Sequence, residues 1–595
     1  MKRQITLAST LLIGLLLAGC GNQQQAGRDF RAMLDAEWER LMRANPEWAS
    51  HRGDYRYNRE WTDLSAEAIA ARQAEVRTVL ERAEAIDPAS LPQSERLNHE
   101  LFVRQYRVLV EGQRFPIELM PFSHRGGVQQ EHEMVETLRF AGVSDYEDWI
   151  ARLQAFGTYV DQHIALAREG IRRGLKPPRF LMQRVRNQID AHIKGGAPED
   201  SLFWQAFSGE LAEGIDEGAA ERLRQSARTA ISGTAVPAMQ RLAQFFDDEY
   251  LPALDDSIGY CNLPDGGEWY AYLARYHTTT DLTPQQIHDI GLGEIERIRG
   301  EMEKIIEQVG HSGSFASFLR YLRTDPRFYY KDPDDLLRAY LATSKQLDGE
   351  LPKLFGKLPR TPYGVRPIPA ISAPDTTTAY YQPPAADGSR AGFYYVNLYR
   401  PETRPIYEIE ALSAHEAMPG HHLQIALAME LEDLPKFRTG LNSTAFVEGW
   451  GLYAEGLAAE MGMYTDPYSR FGQLTYEMWR AVRLVVDTGM HCMGWTRQRA
   501  IDLLVDNSAK TEFDATNEID RYIGWPGQAL AYKIGELTIK ELRADATETL
   551  GENFDIRAFH DTVLEQGALP LDVLRRRIEA WVAEQQRSAG SPPAK

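Results

Sequence analysis

Helical periodicity is the feature that most limits what this chain can fold into. From Phe30 to about Tyr250, apolar residues recur at spacings of three and four. That spacing puts apolar side chains on one face of an α-helix, so a long series of such segments predicts stacked amphipathic helices. The pattern is clearest at Leu34, Trp38, Leu41 and Met42, and again at Trp149, Leu153, Phe156, Val160 and Ile164. We expect a mainly α-helical protein whose first half is a scaffold.

A change in composition near residue 260 marks a boundary between two lobes. The segment 263–267, Leu-Pro-Asp-Gly-Gly, is a cluster of turn residues. Soon afterwards, Thr283, Pro284 and Gln286 have the spacing of an N-cap, a first-turn proline and a capping-box glutamine, which predicts the start of a helix. The predicted divisions are an N-terminal helical lobe over 29–262, a catalytic helical lobe over 263–585 and a disordered tail over 586–595.

The first twenty residues resemble the export signal of a bacterial lipoprotein. Met1-Lys2-Arg3 is positively charged, residues 11–18 are mostly apolar, and Leu17-Ala18-Gly19-Cys20 is similar to the lipobox. This resemblance implies a signal peptide over 1–19, lipid on Cys20, a polar tether over 20–28, and a place in the cell envelope. Gly at position 21 favours the outer membrane, facing the periplasm. The alternative is an ordinary secretory signal that ends in an incidental cysteine.

Composition excludes several other classes of protein. Only Cys261 and Cys492 follow Cys20, too few for a disulfide framework or a cysteine-rich metal site. A formal charge of −19 argues against nucleic acid as a partner, because phosphate binding requires a basic surface. No later apolar run approaches the length of a membrane span, and no obligate protein partner is indicated. We therefore expect a soluble body on a lipid tether.

The segment His415-Glu416-Ala417-Met418-Pro419-Gly420-His421-His422 carries the chemistry. In the H-E-x-x-H pattern two histidines four residues apart bind zinc, and the glutamate between them acts as general base. Here Pro419 occupies the fourth position after His415. Because proline cannot donate the intrahelical hydrogen bond and glycine permits a bend, we expect a kink that brings His421 to the second ligand position. His422, as a substrate contact or as the ligand itself, remains the alternative.

A catalytic zinc site requires a third protein ligand and an open position. The best candidate is Glu448, in a predicted helix that follows a turn-rich segment. Gly449 and Gly451 beside it are small enough for two helices to approach closely. Glu455, seven residues further on, lies on the same helical face as Glu448 and is placed to hydrogen-bond a ligand imidazole.

A short aromatic segment precedes the histidine motif. Residues 358–392 are rich in Pro, Thr, Tyr and Gly and are expected to form an irregular loop, and 393–398 has the composition of a strand. A strand there would hold a substrate backbone by β-addition, with Tyr395 and Asn397 in contact with the substrate. A hairpin that only fills space is the alternative.

Three polar residues recur at helical spacing in an otherwise apolar helix over 481–493. An internal pair between Arg483 and Asp487 would fix this helix. Arg483 is also a candidate for contact with substrate, and His491 for a catalytic contact.

Several motifs together resemble one bacterial family. The histidine motif, Glu448-Gly449-Trp450 and the segment 526–535, Pro-Gly-Gln-Ala-Leu-Ala-Tyr-Lys-Ile-Gly, look like the family called domain of unknown function 885. That family is similar to the peptidases related to thimet oligopeptidase and neurolysin. The resemblance implies two helical lobes around a deep channel, a glutamate as third zinc ligand, and Tyr532, with Lys533 beside it, as donor to the oxyanion.

These observations favour a lipid-anchored zinc hydrolase of short peptides or related amides. His415, His421 and Glu448 would hold Zn²⁺, and Glu416 would take the proton from water and pass it to the leaving amine. One alternative is a metal-dependent hydrolase of a non-peptide amide or ester, since the metal site does not dictate the acyl group. Another is a non-catalytic binding lipoprotein, which the intact set of metal ligands and base argues against.

Overall fold

Two sets of helices and one small sheet make up this protein in a computed structural model. The structure describes residues 22–370, 373, 377–385, 388, 390–441 and 443–588, and residues 2–21 and 589 enter only through the helices that contain them. The chain divides into two compact units, the first formed by Met1–Ser257 with Leu434–Leu441 and the second by Ile258–Asp433 with Asn442–Lys595.

The first unit is entirely helical in the residues described. Its α-helices are α1 (Lys2–Ala44), α2 (Pro46–His51), α3 (Ala66–Glu84), α4 (Gln93–Gly112), α5 (Val143–Arg172), α6 (Arg179–Ile193), α7 (Glu217–Ala230), α8 (Val236–Phe245) and α9 (Leu251–Ala253). The predicted apolar faces are confirmed, because Trp149, Leu153, Phe156, Val160 and Ile164 are all buried along α5. The segment 434–441 joins this unit because Phe437 packs edge-on against Phe102, with ring centroids 5.2 Å apart.

The second unit contains the remaining helices and the sheet. Its helices are α10 (Gly266–Thr278), α11 (Pro284–Gln308), α12 (Phe315–Thr324), α13 (Pro333–Glu350), α14 (Ile409–Glu416), α15 (His421–Met429), α16 (Thr444–Glu460), α17 (Pro467–Cys492), α18 (Arg497–Asn507), α19 (Glu512–Gly524), α20 (Ala531–Leu550), α21 (Ile556–Leu564) and α22 (Leu571–Ala589). The predicted capping box opens α11: Thr283 accepts from the Gln286 backbone N–H, and the Gln286 side chain accepts from that of Thr283. The fold is therefore mainly α, as predicted.

The small sheet has the strand order β1-β3-β2, formed by β1 (Tyr363–Pro367), β2 (Ala379–Gln382) and β3 (Gly392–Val396). β1 runs parallel to β3 and β2 antiparallel to it. Tyr394 and Val396 on the buried face of β3 pack with Leu412 of α14. The sheet thus supports the helix that carries the first histidine of the motif. Two of its strands lie in the segment predicted to be irregular, since runs of five and four residues beside prolines give little periodic signal.

Both ends of the chain differ from the sequence prediction where they are described. Residues 22–28, predicted as a tether, continue α1, and Gly27 lies so close to Pro92 that an added Cβ would be 2.9 Å from its ring. At the other end α22 continues to Ala589, through the glutamine and arginine of the predicted tail, which are good helix formers. The predicted signal peptide, the Cys20 side chain and residues 590–595 lie outside the described residues.

A covalent cross-link lies within the second unit. A disulfide joins Cys261, just before α10, to Cys492 at the end of α17, so the two cysteines that the sequence left without a role are paired.

No helix among the described residues combines the length and the apolar character needed to span a bilayer.

Candidate metal centre

The helix that begins the histidine motif stops, rather than kinks, at the proline. α14 ends at Glu416, and α15 begins at His421. Pro419 has no N–H to continue the ladder. Gly420 passes so close to the preceding turn that an added Cβ would lie 1.9 Å from the carbonyl oxygen of His415. This break brings the imidazoles of His415 and His421 together, with ring centroids 4.7 Å apart.

Glu448 of α16 completes a group of three potential ligands. One donor atom from each of His415, His421 and Glu448 lies within 4.8 Å of the others, and no other such group of three occurs within the described residues. The Oε2 atom of Glu448 is 3.7 Å from Nε2 of His415 and 3.5 Å from Nε2 of His421. Tetrahedral zinc places its nitrogen and oxygen ligands about 3.3–3.5 Å apart. The donor types therefore suit zinc, and the two distances lie at or slightly above this range.

The ring of His415 is held in place by Glu455, on the side away from Glu448. Its Nδ1 lies 2.8 Å from Oε1 of the fully buried Glu455, which leaves Nε2 directed at Glu448. Burial alone would lower the pKa of His415, but hydrogen bonds to Glu448 and Glu455 raise it to about 9. Burial would likewise raise the pKa of Glu448, yet the two imidazoles hold it well below its usual value. The buried carboxylates thus favour positive charge at this position.

Each residue of the segment 448–451 has a separate structural task. An added Cβ at Gly451 would lie 2.8 Å from Cε1 of His415, so only glycine lets that ring rest against α16. At Gly449 it would lie 2.5 Å from Gly535 of α20, where two helix backbones touch. The indole N–H of the buried Trp450 donates to the carbonyl of Pro419 at 2.9 Å and fixes the break in the motif.

Glu416 and Tyr532 lie close enough to the potential ligands to act on them electrostatically. Glu416 is the one residue of the segment 411–420 that is half-buried rather than buried, and its negative charge helps to raise the pKa of His415. The half-buried Tyr532 lies in the first turn of α20, and burial together with the negative charge of Glu448 raises the pKa of its phenol. A proton acceptor and a hydrogen-bond donor therefore accompany the three potential ligands.

His422 forms hydrogen bonds away from the group of potential ligands, which favours His421 over His422 as the second member of that group. Its Nδ1 lies 2.7 Å from the hydroxyl of Tyr381, and its Nε2 lies 3.1 Å from the carbonyl of Thr361. The ring is fully buried, and this burial lowers its pKa to about 4. Both ring nitrogens are therefore engaged away from Glu448, one by Tyr381 of β2 and the other by Thr361 just before β1.

The polar residues of α17 do not pair as predicted. Asp487 accepts from the hydroxyl of Tyr270 and, at 3.0 Å, from the backbone N–H of Gly527, so it holds the loop before α20. Arg483 instead donates to the hydroxyl of Tyr522 at 2.7 Å. The correction arises because the two side chains have better partners on neighbouring helices than along their own.

His491 is not placed for catalysis. Its Nε2 lies 3.1 Å from the carbonyl of Tyr522, and its Nδ1 accepts the backbone N–H of Tyr260 at 3.4 Å. The ring is 1% exposed. With both nitrogens engaged beside the Cys261–Cys492 disulfide, the imidazole has a structural role, and the predicted catalytic contact is not formed.

Lys533 and Asn397, two further residues predicted to contact the substrate, bind other parts of the protein instead. The ammonium of the fully buried Lys533 lies within 2.8 Å of carboxylate oxygens of Glu294, Glu477 and Glu536, so it cannot reach a substrate. The amide of Asn397, just after β3, donates to the carbonyl of Ala373 at 2.8 Å and holds the segment between β1 and β2.

Tyr395 lies on the central strand β3, and its ring stacks on Tyr380, with centroids 5.0 Å apart. Because β1 and β2 occupy both edges of β3, that strand has no free backbone groups for the predicted β-addition.

Sequence reasoning missed two residues that organise this centre. Arg480 of α17 approaches Glu455 at 3.6 Å, behind His415, and Trp450 fixes Pro419. Arg480 carries a weak sequence signal, because it lies one turn from Arg483 in an apolar helix. Trp450 belongs to the family-like segment 448–450, but that segment does not indicate its contact with Pro419, since a tryptophan beside glycines is equally consistent with ordinary core packing.

Similarity to known proteins agrees with this architecture. Residues 46–578 match a family described as "Bacterial protein of unknown function (DUF885)". A protein of Colwellia psychrerythraea described as a putative lipoprotein is 28% identical, with a TM-score of 0.86 over 94% of this chain and 99% of its own. A second, from Shewanella oneidensis, described as a putative lipoprotein of unknown function, is 18% identical, with a TM-score of 0.73 over 91% and 98%. No curated protein matches the chain.

Fold and site together define a mainly α-helical protein in which two histidines and a glutamate converge beside a broken helix. The chain belongs to the DUF885 family of bacterial proteins.

Proposed function

We propose that this protein is a zinc-dependent hydrolase of short peptides or related amides. The observation that carries the proposal is the convergence of His415, His421 and Glu448 within 4.8 Å, with the half-buried Glu416 adjoining the first ligand. Two imidazoles and a carboxylate are the ligand set of several zinc peptidases, and such sites keep a fourth position open. The likeness of the motif to peptidases related to thimet oligopeptidase favours amide bonds as the substrate.

The residues around the site have complementary tasks in hydrolysis. A bound zinc ion would supply Lewis acidity, which activates water near neutral pH and polarises the substrate carbonyl. Glu416 accepts a proton as the water oxygen bonds to the carbonyl carbon, and it passes that proton to the amide nitrogen as the C–N bond breaks. Tyr532 donates a hydrogen bond to the carbonyl oxygen as negative charge develops there. The products are a carboxylate and an amine.

Metal analysis and hydrolysis of short peptides test the proposal directly. We expect close to one zinc per chain, and turnover that a chelator abolishes and added zinc restores. Glu416→Gln should keep the metal but lose at least about 100-fold in kcat, the usual size of a general-base contribution. Glu432→Gln is the matched control, because Glu432 is an exposed glutamate outside the site and should change neither quantity. Unchanged turnover in Glu416→Gln would contradict the mechanism.

We further propose that the protein is anchored to the cell envelope through lipid on Cys20, at the outer membrane and facing the periplasm. Support comes from the lipobox-like segment 17–20 and from the description of both structural relatives as lipoproteins. Fractionation of cells that make the full chain tests this. Wild type should sediment with membranes and take up labelled fatty acid, whereas Cys20→Ser should do neither.

A further inference from the structure

Two arginines lie side by side in the interior next to the candidate metal centre. Arg480 and Arg483 are one turn apart on α17, and their side chains are 5% and 4% exposed. Both guanidinium groups pack against the Trp479 ring, at 4.7 and 4.5 Å from its centroid. Arg483 also lies 4.2 Å from the centroid of the Tyr532 ring. Buried guanidinium pairs of this kind require anionic partners.

The hydrogen bonds of this pair are incomplete. Arg483 donates from Nε to the hydroxyl of Tyr522 at 2.7 Å and approaches Glu518 from Nη2 at 3.4 Å. Its buried Nη1, like the buried Nε of Arg480, has no hydrogen-bond partner among the described residues. A buried N–H without a partner is costly, and native proteins satisfy almost all such groups. An acceptor at Nη1 of Arg483 is therefore missing.

The cluster also contains fewer carboxylates than guanidinium groups. Glu518 is shared, because its Oε2 accepts from Arg521 at 3.1 Å and from the Tyr522 hydroxyl at 2.8 Å, and the contact from Arg483 is the longest of the three. The carboxylate nearest Arg480 belongs to Glu455, which already bonds His415. Three guanidinium groups thus share two carboxylates, which leaves the cluster with surplus positive charge.

The cluster adjoins the metal ligands on two sides. The Tyr532 ring lies against Arg483, and the negative charge of Glu448 acts on its phenol. Glu455 approaches Arg480 on one side and bonds His415 on the other. A single side chain therefore separates the unsatisfied donors from the ligands. An anionic group bound at Arg483 would lie within one or two residues of an amide at the metal, because a residue spans at most about 3.6 Å.

We propose that Arg483, with Arg480 beside it, binds the C-terminal carboxylate of a short peptide, so that the protein removes one or two residues from the carboxyl end. This inference rests on the proposed hydrolase function. A guanidinium group matches a carboxylate in both charge and geometry, and the bound carboxylate would accept from Nη1. Arg483 is thus a residue that determines specificity, and Glu416 and Tyr532 act on the bond that is cut.

Matched peptides test the inference on the zinc-loaded full chain. N-acetylated tripeptides with a free C-terminal acid should be cut at least about 10-fold faster, as kcat/KM, than the same peptides as C-terminal amides, because a buried donor left unpaired disfavours the amide. In Arg483→Gln this preference should fall towards one. Arg497→Gln is the control, because it breaks the Arg497–Asp520 pair on the neighbouring α18 and should leave the preference intact.

Other outcomes are informative about different claims. If wild type cuts the acid and the amide equally well, the carboxylate site is overturned, but the proposed hydrolase function is not. This comparison uses wild type alone and so does not depend on whether Arg483→Gln folds. Preference for an internal glutamate in an amidated peptide would assign the arginines to an acidic side chain instead. Equal loss for both substrates in Arg483→Gln would indicate a purely structural role.

Binding to metal-free protein separates the inference from the proposed function. Calorimetry with N-acetyl-dialanine and its C-terminal amide, in chelator, removes any contact between carboxylate and metal. Tighter binding of the acid by at least about 10-fold, lost in Arg483→Gln, supports the carboxylate site even if no peptide is hydrolysed. Equal affinities for acid and amide in wild type would overturn it.

Discussion

Single side chains decide whether the candidate centre can form. His415 rests against Gly451, and its Nδ1 is held by Glu455, so both the position and the tautomer of the first ligand are set by α16. The second ligand depends on Gly420, which passes against the carbonyl of His415 where no Cβ fits. Small residues therefore matter here as much as the ligands do.

Gly451→Ala should weaken metal binding without unfolding the protein. The added Cβ would lie 2.8 Å from Cε1 of His415, so the imidazole must move away from the other ligands. We expect a loss of about 10- to 100-fold in zinc affinity, as for other changes to the shell around a ligand, measured by competition with a chromophoric chelator. Gly456→Ala on the same helix is the control, because nothing lies within 4 Å of its added Cβ. Equal affinities in the two variants would show that the contact is unimportant.

The two histidines of the motif should separate cleanly by mutation. His421→Ala removes a potential ligand and should leave the purified chain with little zinc. His422→Gln should retain the metal, because His422 bonds Tyr381 and Thr361 rather than the ligand group. Metal content by plasma emission spectrometry checks both variants. Loss of zinc from His422→Gln, with normal content in His421→Ala, would reverse the assignment.

Helices of the second unit act as pairs around the site. α16 carries Glu448 and Glu455 and touches α20 through Gly449 and Gly535. α17 lies behind them with its arginines and ends at Cys492, which the disulfide ties to the segment before α10. The helix that bears Arg480 and Arg483 is therefore covalently fixed at one end.

Reduction of the Cys261–Cys492 disulfide should lower stability measurably. The bond closes a loop of 231 residues in sequence separation, and it limits the conformations of the unfolded chain. We expect a loss of about 2–4 kcal/mol, seen as a lower thermal midpoint in dithiothreitol. The double variant Cys261→Ser/Cys492→Ser should melt at the reduced midpoint with or without reductant. A wild-type midpoint that dithiothreitol leaves unchanged would contradict this role.

At the scale of the whole molecule, buried neutral imidazoles tie stability to pH. Burial lowers the pKa values of His192, His277 and His560 to about 4, from an ordinary value of 6.5. Between these values the unfolded chain binds protons that the folded chain does not, so these groups destabilise the fold as the pH falls. Glu131 acts in the opposite direction, because burial raises its pKa to about 8.

His560 permits a test of one such group. Its Nδ1 lies 2.8 Å from the carbonyl of Leu354, and its Nε2 lies 2.9 Å from the hydroxyl of Tyr453. Burial lowers the pKa of this ring to about 4, although the hydrogen bond to Leu354 acts in the opposite direction, so the folded protein favours the neutral form. The stabilisation that is full above pH 6.5 should decline towards pH 4, by up to about 3 kcal/mol. Thermal midpoints from pH 8 to pH 4.5 should therefore fall less steeply in His560→Gln than in wild type. Identical slopes would contradict the account.

Local patterns in the sequence predicted much of the architecture. The spacing of apolar residues predicted the helices, because one face of a helix must be buried, and the capping box predicted the start of α11. The closeness of His415 and His421 followed from residue types and from the disruption that a proline causes in a helix. Each of these inferences uses interactions within a few residues along the chain.

Only the tertiary structure decided which side chains were free to act. In the folded chain His422 is hydrogen-bonded to Tyr381, and Lys533 forms ion pairs with three glutamates. His491 is hydrogen-bonded to backbone groups of distant segments. The tertiary structure also placed the predicted strand at the centre of its sheet, between β1 and β2. Such pairings join residues far apart in sequence, so no local pattern encodes them. Burying a polar group without a hydrogen bond costs free energy, so each buried polar side chain pairs with a partner that only the folded chain brings within reach.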